Sequence, residues 1–274
     1  MQSLLKIEWL KIKNYTAFKV LSLFFVVGVI LTNYIVYSVN KNVVGNIKPA
    51  GLLSSFNPYN FSNTWQTTSY ATGYLLILPA LLIIILITNE FSFRTSRQNI
   101  IDGWSRKQFI EVKMVLALIV SILSTVLVLI TAAVFGLFSG TDFSLNGFDH
   151  VGYFFLKSFS YNMIAVLVSV LIRRTGFAIG LYFIYLGAEN IVSQLLDVWS
   201  MKLKRDDVAD LGGLGDYLPM NASDGLLTFP DNPLKAMAKS ALPTDYYWVV
   251  IGFALFYLAL FIWLSRKRFI QSDL

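Results

Sequence analysis

Two ionisable residues, Lys157 and Glu189, lie inside long apolar stretches of the sequence. A charge within a membrane is costly unless it is paired or wetted, so such residues by default indicate a functional interior. Glu189, flanked by Gly187 and Asn190, lies near the middle of its stretch, and we expect it to contact a substrate, a neighbouring helix or a dimer mate. Lys157 lies nearer the outer end of its own stretch, where snorkelling to the outer surface is the favoured interpretation. Because the two depths differ by a turn or two, we do not expect these residues to pair easily.

A polar loop at residues 89–113 carries the other group of chemically informative residues. It contains two capping-box patterns, Thr95 with Gln98 and Ser105 with Gln108, each of which predicts the start of a helix. Gly103 lies between them, where a helix would end in a left-handed residue. The pattern predicts a short capped helix followed by the helix that leads into the next apolar stretch.

The same loop is rich in charge, and Glu90 and Arg94 have the i, i+4 spacing at which helical ion pairs form. We therefore expect a short, rigid, charged helix parallel to the inner membrane surface. Such a helix is suited to being pushed by a cytoplasmic partner. The alternative is a well-capped solvated loop that contacts nothing, and spacing alone does not choose between them.

Composition determines which kind of protein must position these residues. Hydrophobic residues make up 56% of the chain and charged residues 14%, whereas about 25% are charged in soluble domains. The chain has no cysteine, which excludes disulfides and thiolate metal sites, and its single histidine, His150, cannot form a metal cluster by itself. The net charge of +6 comes from basic residues between apolar runs, which indicates membrane topology and not nucleic-acid binding.

We therefore predict an all-α membrane protein in which residues 1–274 form a single transmembrane domain. Six segments are long enough to cross about 30 Å of hydrocarbon. They are Val20–Val39, Ser69–Thr88, Met114–Phe138, Val151–Ile172, Thr175–Leu196 and Tyr246–Leu264. Pro79 predicts a kink in the second segment. We expect the first segment to be a retained helix and not a cleaved signal peptide.

Topology follows from the distribution of lysine and arginine beside these segments. One side collects 14 of these residues and the other side seven, most of them in one long loop that should be discounted. Both termini are therefore predicted to be cytoplasmic. Residues 1–16 read as an amphipathic helix on the inner membrane surface, with Leu5, Trp9 and Ile12 on one face. The outer loop 197–245 is predicted to form either an external cap or a re-entrant segment.

This layout is similar to a known family of transporters. The interfacial helix, the six spans and the second-to-third loop together resemble the permease subunits of type-2 ATP-binding-cassette exporters. The matching loop positions are Glu90, Phe93, Arg94, Thr95, Gly103, Ser105, Arg106 and Lys113. The resemblance implies that the loop is a coupling helix that docks on an ATPase. It also implies which residues face that ATPase: Arg94, Thr95, Arg97, Gln98 and Arg106.

The resemblance further implies partners, because the sequence has no G-x-x-x-x-G-K-[ST] phosphate loop. ATP and magnesium would bind two copies of a separate ATPase subunit, and this chain would hold no cofactor and catalyse no reaction. A second permease chain, identical or homologous, would complete a transport path that works by alternating access. We expect the complex in a bacterial cytoplasmic membrane.

Three other classes of protein are alternatives to the exporter. A stand-alone secondary transporter or channel usually shows inverted repeats, and we find none. A membrane anchor without transport activity needs none of the features above. An intramembrane enzyme would need paired catalytic groups at one depth, which one glutamate and one loop histidine do not supply. No residue selects a substrate.

Overall fold

The computed structural model describes residues 2–44, 57–231 and 243–271, and throughout these ranges the regular secondary structure is helical, with no strand. Within the described ranges, six helical stretches are long and apolar enough to cross a membrane, which agrees with the predicted number. The helices are α1 (Gln2–Ile12), α2 (Thr16–Val39), α3 (Phe61–Gly73), α4 (Ile77–Ser92), α5 (Thr95–Ile101), α6 (Arg106–Phe138), α7 (Asp149–Ile172), α8 (Thr175–Arg205), α9 (Asn221–Asp224) and α10 (Tyr247–Gln271).

Most helices extend beyond the segments predicted from hydrophobicity. The second stretch begins at Phe61 and not at Ser69, and the third begins at Arg106 and not at Met114. The largest correction concerns the outer loop, because α8 continues to Arg205 through what was predicted to be loop. A helix satisfies its backbone internally, so it can continue past the apolar segment into polar residues. Residues 232–242 of the predicted loop lie outside the described residues.

The second stretch changes its helical geometry next to Pro79. A 3₁₀ turn at Tyr74–Leu76 separates α3 from α4. Pro79 has no N–H to donate to the carbonyl of Leu75, so the regular α-helical hydrogen bond is missing here. The irregularity that is present is a short 3₁₀ turn that precedes the proline, and the kink at Pro79 stays a prediction.

Helix α7 lies at the centre of the bundle and packs against α3, α4, α6, α8 and α10. Polar hydrogen bonds join neighbouring spans inside this core. Asn162 of α7 donates to the hydroxyl of Ser121 on α6 at 2.8 Å. Asn33 of α2 donates to the hydroxyl of Thr72 on α3 at 3.2 Å. By contrast, α2 and α8 present many exposed apolar side chains, as helices that face lipid do.

A segment after α8 folds back along that helix. We call residues 206–231 the returning segment; it includes a 3₁₀ turn at Leu214–Tyr217 and the short helix α9. The hydroxyl of Ser200 donates to the carbonyl of Gly212, and the N–H of Gly215 donates to Asp197. The segment then reaches Glu189, near the middle of α8. The segment therefore packs along the half of α8 that ends at Arg205.

Candidate functional site

The polar loop at 89–113 folds as two helices joined by a tight turn. We call this end of the bundle the inner end, because the basic residues predict that it faces the cytoplasm. The Ser105 hydroxyl accepts from the N–H of Gln108 at 3.1 Å, and the Gln108 side chain accepts from the N–H of Ser105 at 2.9 Å. This capping box is as predicted. Gly103 has φ +101°, which confirms the predicted left-handed residue.

The first capping box of the loop is different from the prediction. Helix α5 has Arg94, not Thr95, at its N-cap, and Arg94 adopts a left-handed conformation with φ +58°. The Thr95 hydroxyl instead donates to the carbonyl of Glu90 at 3.3 Å. That carbonyl lies in the last turn of α4, where no intrahelical donor remains. Gln98 donates to the carboxylate of Asp102 at 3.0 Å, so both members of the predicted box have other partners.

The predicted pairing of Glu90 with Arg94 is wrong. Helix α4 ends at Ser92 and Arg94 is left-handed, so the i, i+4 geometry is lost. Glu90 accepts from the ammonium group of Lys113 at 2.7 Å and lies 3.4 Å from that of Lys11. Lys113 also donates to Glu8 at 2.5 Å. Residues from three separate helices therefore meet at one point.

We call Glu8, Lys11, Glu90 and Lys113 the inner ion cluster. It joins α1, α4 and α6, and the side chain of Lys113 is only 1% exposed. Burial alone would raise the pKa of Glu8, but the ammonium groups of Lys113 and Lys11 outweigh burial and lower that pKa. Burial opposes the charge of Lys11, yet the carboxylates of Glu90 and Glu8 raise its pKa. The ion pairs of the cluster fasten α1 to the spans.

Sequence reasoning missed Glu8 and Lys11 and gave Lys113 no ion partner. A signal was present, because Lys113 directly precedes the apolar run that begins at Met114. A lysine so placed is buried when the helices pack, and a buried charge needs a partner. Glu8 is an acidic residue in an otherwise basic N-terminal helix, which marks it as a candidate partner.

The predicted ATPase-facing residues do not all share one surface. Arg94, Thr95, Arg97 and Gln98 are exposed around α5. Arg106 is also exposed, but its guanidinium donates to the carbonyl of Ile270 at 3.1 Å and so contacts α10. Two large apolar side chains flank α5: Phe93 is 75% exposed and Ile101 is 77% exposed. Helix α5 therefore presents a basic surface bordered by two apolar side chains.

The two ionisable residues of the spans lie at one level, contrary to the expected difference in depth. Lys157 precedes the end of α7 by about four turns, and Glu189 follows the start of α8 by about four turns. They do not bond each other; the returning segment lies between them. Lys157 is 3.3 Å from the carboxylate of Asp224. Glu189 accepts from the N–H of Met220 at 2.5 Å and of Asn221 at 3.0 Å.

The expectation that Lys157 snorkels to the outer surface is also wrong, because its side chain is buried. The ion pair with Asp224 compensates its charge inside the bundle. A cavity of about 520 Å³ lies beside these groups, between α3, α4, α7, α8 and α9. Its wall includes Lys157, Glu189 and Asp224 together with aromatic rings such as Tyr74 and Phe183. A cavity lined by both charged and aromatic groups suits an amphipathic ligand.

A carboxylate of the returning segment, Asp216, is held in an unfavourable environment. Burial, together with the nearby carboxylates of Asp197, Asp245 and Asp224, raises its pKa to about 7. Asp216 lies in the 3₁₀ turn that packs on α8. We therefore expect the docking of this segment to weaken as the pH rises.

Neither the models of known protein families nor the curated proteins match this chain. The class of protein is defined by the fold alone: an all-helical chain with six apolar stretches fits a multi-pass membrane protein.

Proposed function

We propose that the chain is the membrane-spanning permease subunit of an ATP-driven exporter of the type-2 ATP-binding-cassette kind. The observation that carries this proposal is the exposed helix α5 at the inner end, attached to the bundle through the inner ion cluster. A separate ATPase, in two copies, would bind α5. A second permease chain, identical or homologous, would complete the path across a bacterial cytoplasmic membrane, with both termini cytoplasmic.

The contacts around α5 give the proposal a mechanical basis. Glu90 lies in the last turns of α4, just before α5, and Lys113 lies in the first turns of α6, just after it. The ion pair between them closes the base of the loop. A displacement of α5 would therefore move α4 and α6 together, and Glu8 and Lys11 would carry α1 with them. Such a linked body is what conversion of ATPase closure into helix movement requires.

The intramembrane site supports a transport path beside the returning segment. Lys157 and Glu189 hold α9 from two sides, and the cavity lies next to them. In alternating access, a shift of α7 relative to α8 would change the docking of α9 and the shape of this cavity. We propose that this cavity lies on the path, and that Glu189 and Lys157 hold one of its walls.

The first experiment is a pull-down of the chain solubilised in mild detergent, with mass spectrometry of the recovered proteins. Recovery of an ATPase subunit at near-equal stoichiometry is the expected result. Recovery of the chain alone would favour a stand-alone transporter or an anchor.

Charge reversal tests the docking surface. The double variant R94E/R97E should lose the ATPase or its stimulated hydrolysis while still inserting in the membrane, because both guanidinium groups are exposed on α5. K267E/R268E is the matched control, since it reverses two exposed charges at the same end of the bundle. Full stimulation by R94E/R97E would rule out this surface as the docking site.

Replacement of Glu189 tests the intramembrane site. Glu189→Gln keeps an oxygen that can accept from the N–H of Asn221 but removes the charge. Altered export or altered assembly with normal expression is expected. If both export and thermal stability were unchanged, Glu189 would be a passive residue.

A further inference from the structure

Two turns meet at the inner end and form a basic groove. One is the turn between α4 and α5, and the other is the turn between α7 and α8. The hydroxyls of Thr88 and Thr175 lie 2.8 Å apart and join the two turns, and the guanidinium of Arg173 lies 5.4 Å from the ring centroid of Phe91. The groove has a volume of about 370 Å³ and is lined by Phe91, Ser92, Arg94, Ser96, Arg97, Ile172, Arg173 and Arg174.

Four of these eight residues are arginines, and none of the eight carries a carboxylate. We call Arg94, Arg97, Arg173 and Arg174 the arginine groove. Guanidinium groups bind phosphate through paired N–H donors, with more geometric specificity than lysine provides. The groove therefore has the chemistry of a phosphate site.

The backbone conformation of the groove also indicates a functional site. Across the described residues, three non-glycine residues have positive φ, and two of them are Arg94 (φ +58°) and Arg173 (φ +55°). A left-handed conformation is unfavourable for residues with a side chain and tends to persist at functional positions. Arg94 of the α4–α5 turn and Arg173 of the α7–α8 turn have this conformation, and both line the shared groove.

Neighbouring side chains indicate at which level the groove lies. Leu171 and Phe177 flank the α7–α8 turn and are both largely exposed, at 49% and 68%. Exposed apolar residues at the ends of two spanning helices belong at the edge of the hydrocarbon. Arg173 and Arg174, between them in sequence, then lie at the level of the lipid headgroups. Ile172 and Phe91 give the groove an apolar wall on which the start of an acyl chain can rest.

We infer that the arginine groove binds the phosphate of an anionic phospholipid from the inner leaflet. Basic pockets between spanning helices on this side of a membrane are suited to anionic headgroups. The groove shares Arg94 and Arg97 with the proposed ATPase surface, but lipid binding is tested with this chain and lipid alone, so either proposal can fail without the other. A bound lipid would link the α4–α5 turn to the α7–α8 turn through one shared anion.

Native mass spectrometry of the detergent-solubilised chain tests the inference, with phosphatidylglycerol and phosphatidylcholine as the two probes. The wild type should retain one phosphatidylglycerol per chain at concentrations at which phosphatidylcholine is lost. The variant R173Q/R174Q should bind phosphatidylglycerol roughly 30-fold more weakly, since each arginine near an anionic surface contributes about fivefold. The control K267Q/R268Q removes two charges at the same end and should bind as the wild type does.

Several results would overturn the inference. Equal retention of phosphatidylglycerol by the wild type and R173Q/R174Q would do so, as would equal losses in R173Q/R174Q and the control. Displacement of the lipid by millimolar inorganic phosphate would assign the groove to a free phosphate. If R173Q/R174Q does not fold, the single variant R97Q answers the same question, because Arg97 is exposed.

Discussion

Replacement of Lys113 by methionine should destabilise the protein more than any other single charge removal at the inner end. The ammonium group of Lys113 donates to both Glu8 and Glu90, and its side chain is 1% exposed. Methionine fills a similar volume but leaves two carboxylates facing each other with Lys11 as the remaining partner. Removing one partner of a buried ion pair costs about 3–5 kcal/mol.

The control for this variant is Lys107→Met on the same helix. Lys107 is 4.0 Å from Glu111 and its side chain is 60% exposed. An exposed pair of this kind contributes about 0–1 kcal/mol. The two variants remove the same charge within two turns of α6, so the difference between them measures burial and pairing.

The assay is thermal unfolding in lipid nanodiscs at neutral pH. For a chain of this size, the cost of Lys113→Met corresponds to a fall in Tm of roughly 10 °C, and that of Lys107→Met to about 2 °C or less. The triple variant E8Q/E90Q/K113M should recover most of the loss, because Lys11 is then the one charge left in the cluster and its side chain is 35% exposed to water. If Lys113→Met and Lys107→Met melted within about 1 °C of each other, the cluster would not hold the helices together.

Three further predictions concern the other charged groups. Because the pKa of Glu8 is lowered from 4.5, its stabilisation is present above that pH and lost as the pH falls through the lowered pKa. The Tm difference between the wild type and E8Q should therefore be constant near neutrality and shrink in acid. The pKa of Asp216 is raised to about 7 from 3.8, so ionisation destabilises the fold as the pH rises across that interval. D216N should thus melt above the wild type at pH 8 but not at pH 4, and the same difference at both would contradict this reasoning. K157M should expose the returning segment to limited proteolysis, whereas K157M/D224N should restore protection; additive effects in this cycle would show that the pair is not coupled.

Much of the fold was predictable from the sequence because lipid imposes a simple rule. A spanning segment needs about 20 apolar residues in a helix, and this requirement acts on each segment separately. The six stretches were therefore found by hydrophobicity alone. The second capping box was predictable because Ser105 and Gln108 bond within one turn, and Gly103 needs no distant contact to be left-handed.

The ends of the helices and the partners of the charged residues were decided by tertiary structure. Helix α8 continues to Arg205 because the returning segment packs on it, and hydrophobicity contains no trace of that packing. Glu90 had a local candidate partner in Arg94, but its actual partners are 23 and 79 residues away in the chain.

The intramembrane site was likewise predictable from the sequence only in part. The sequence correctly indicated that Lys157 and Glu189 were unusual, since a charge in an apolar stretch is expensive wherever it lies. It could not show that both lie at one level or that α9 comes between them, because that depends on how α7, α8 and the returning segment pack. The sequence by itself thus determined the helices and the need for charge compensation. The tertiary structure alone decided which groups provide it, because buried ion pairs form between residues that are close in space and distant along the chain.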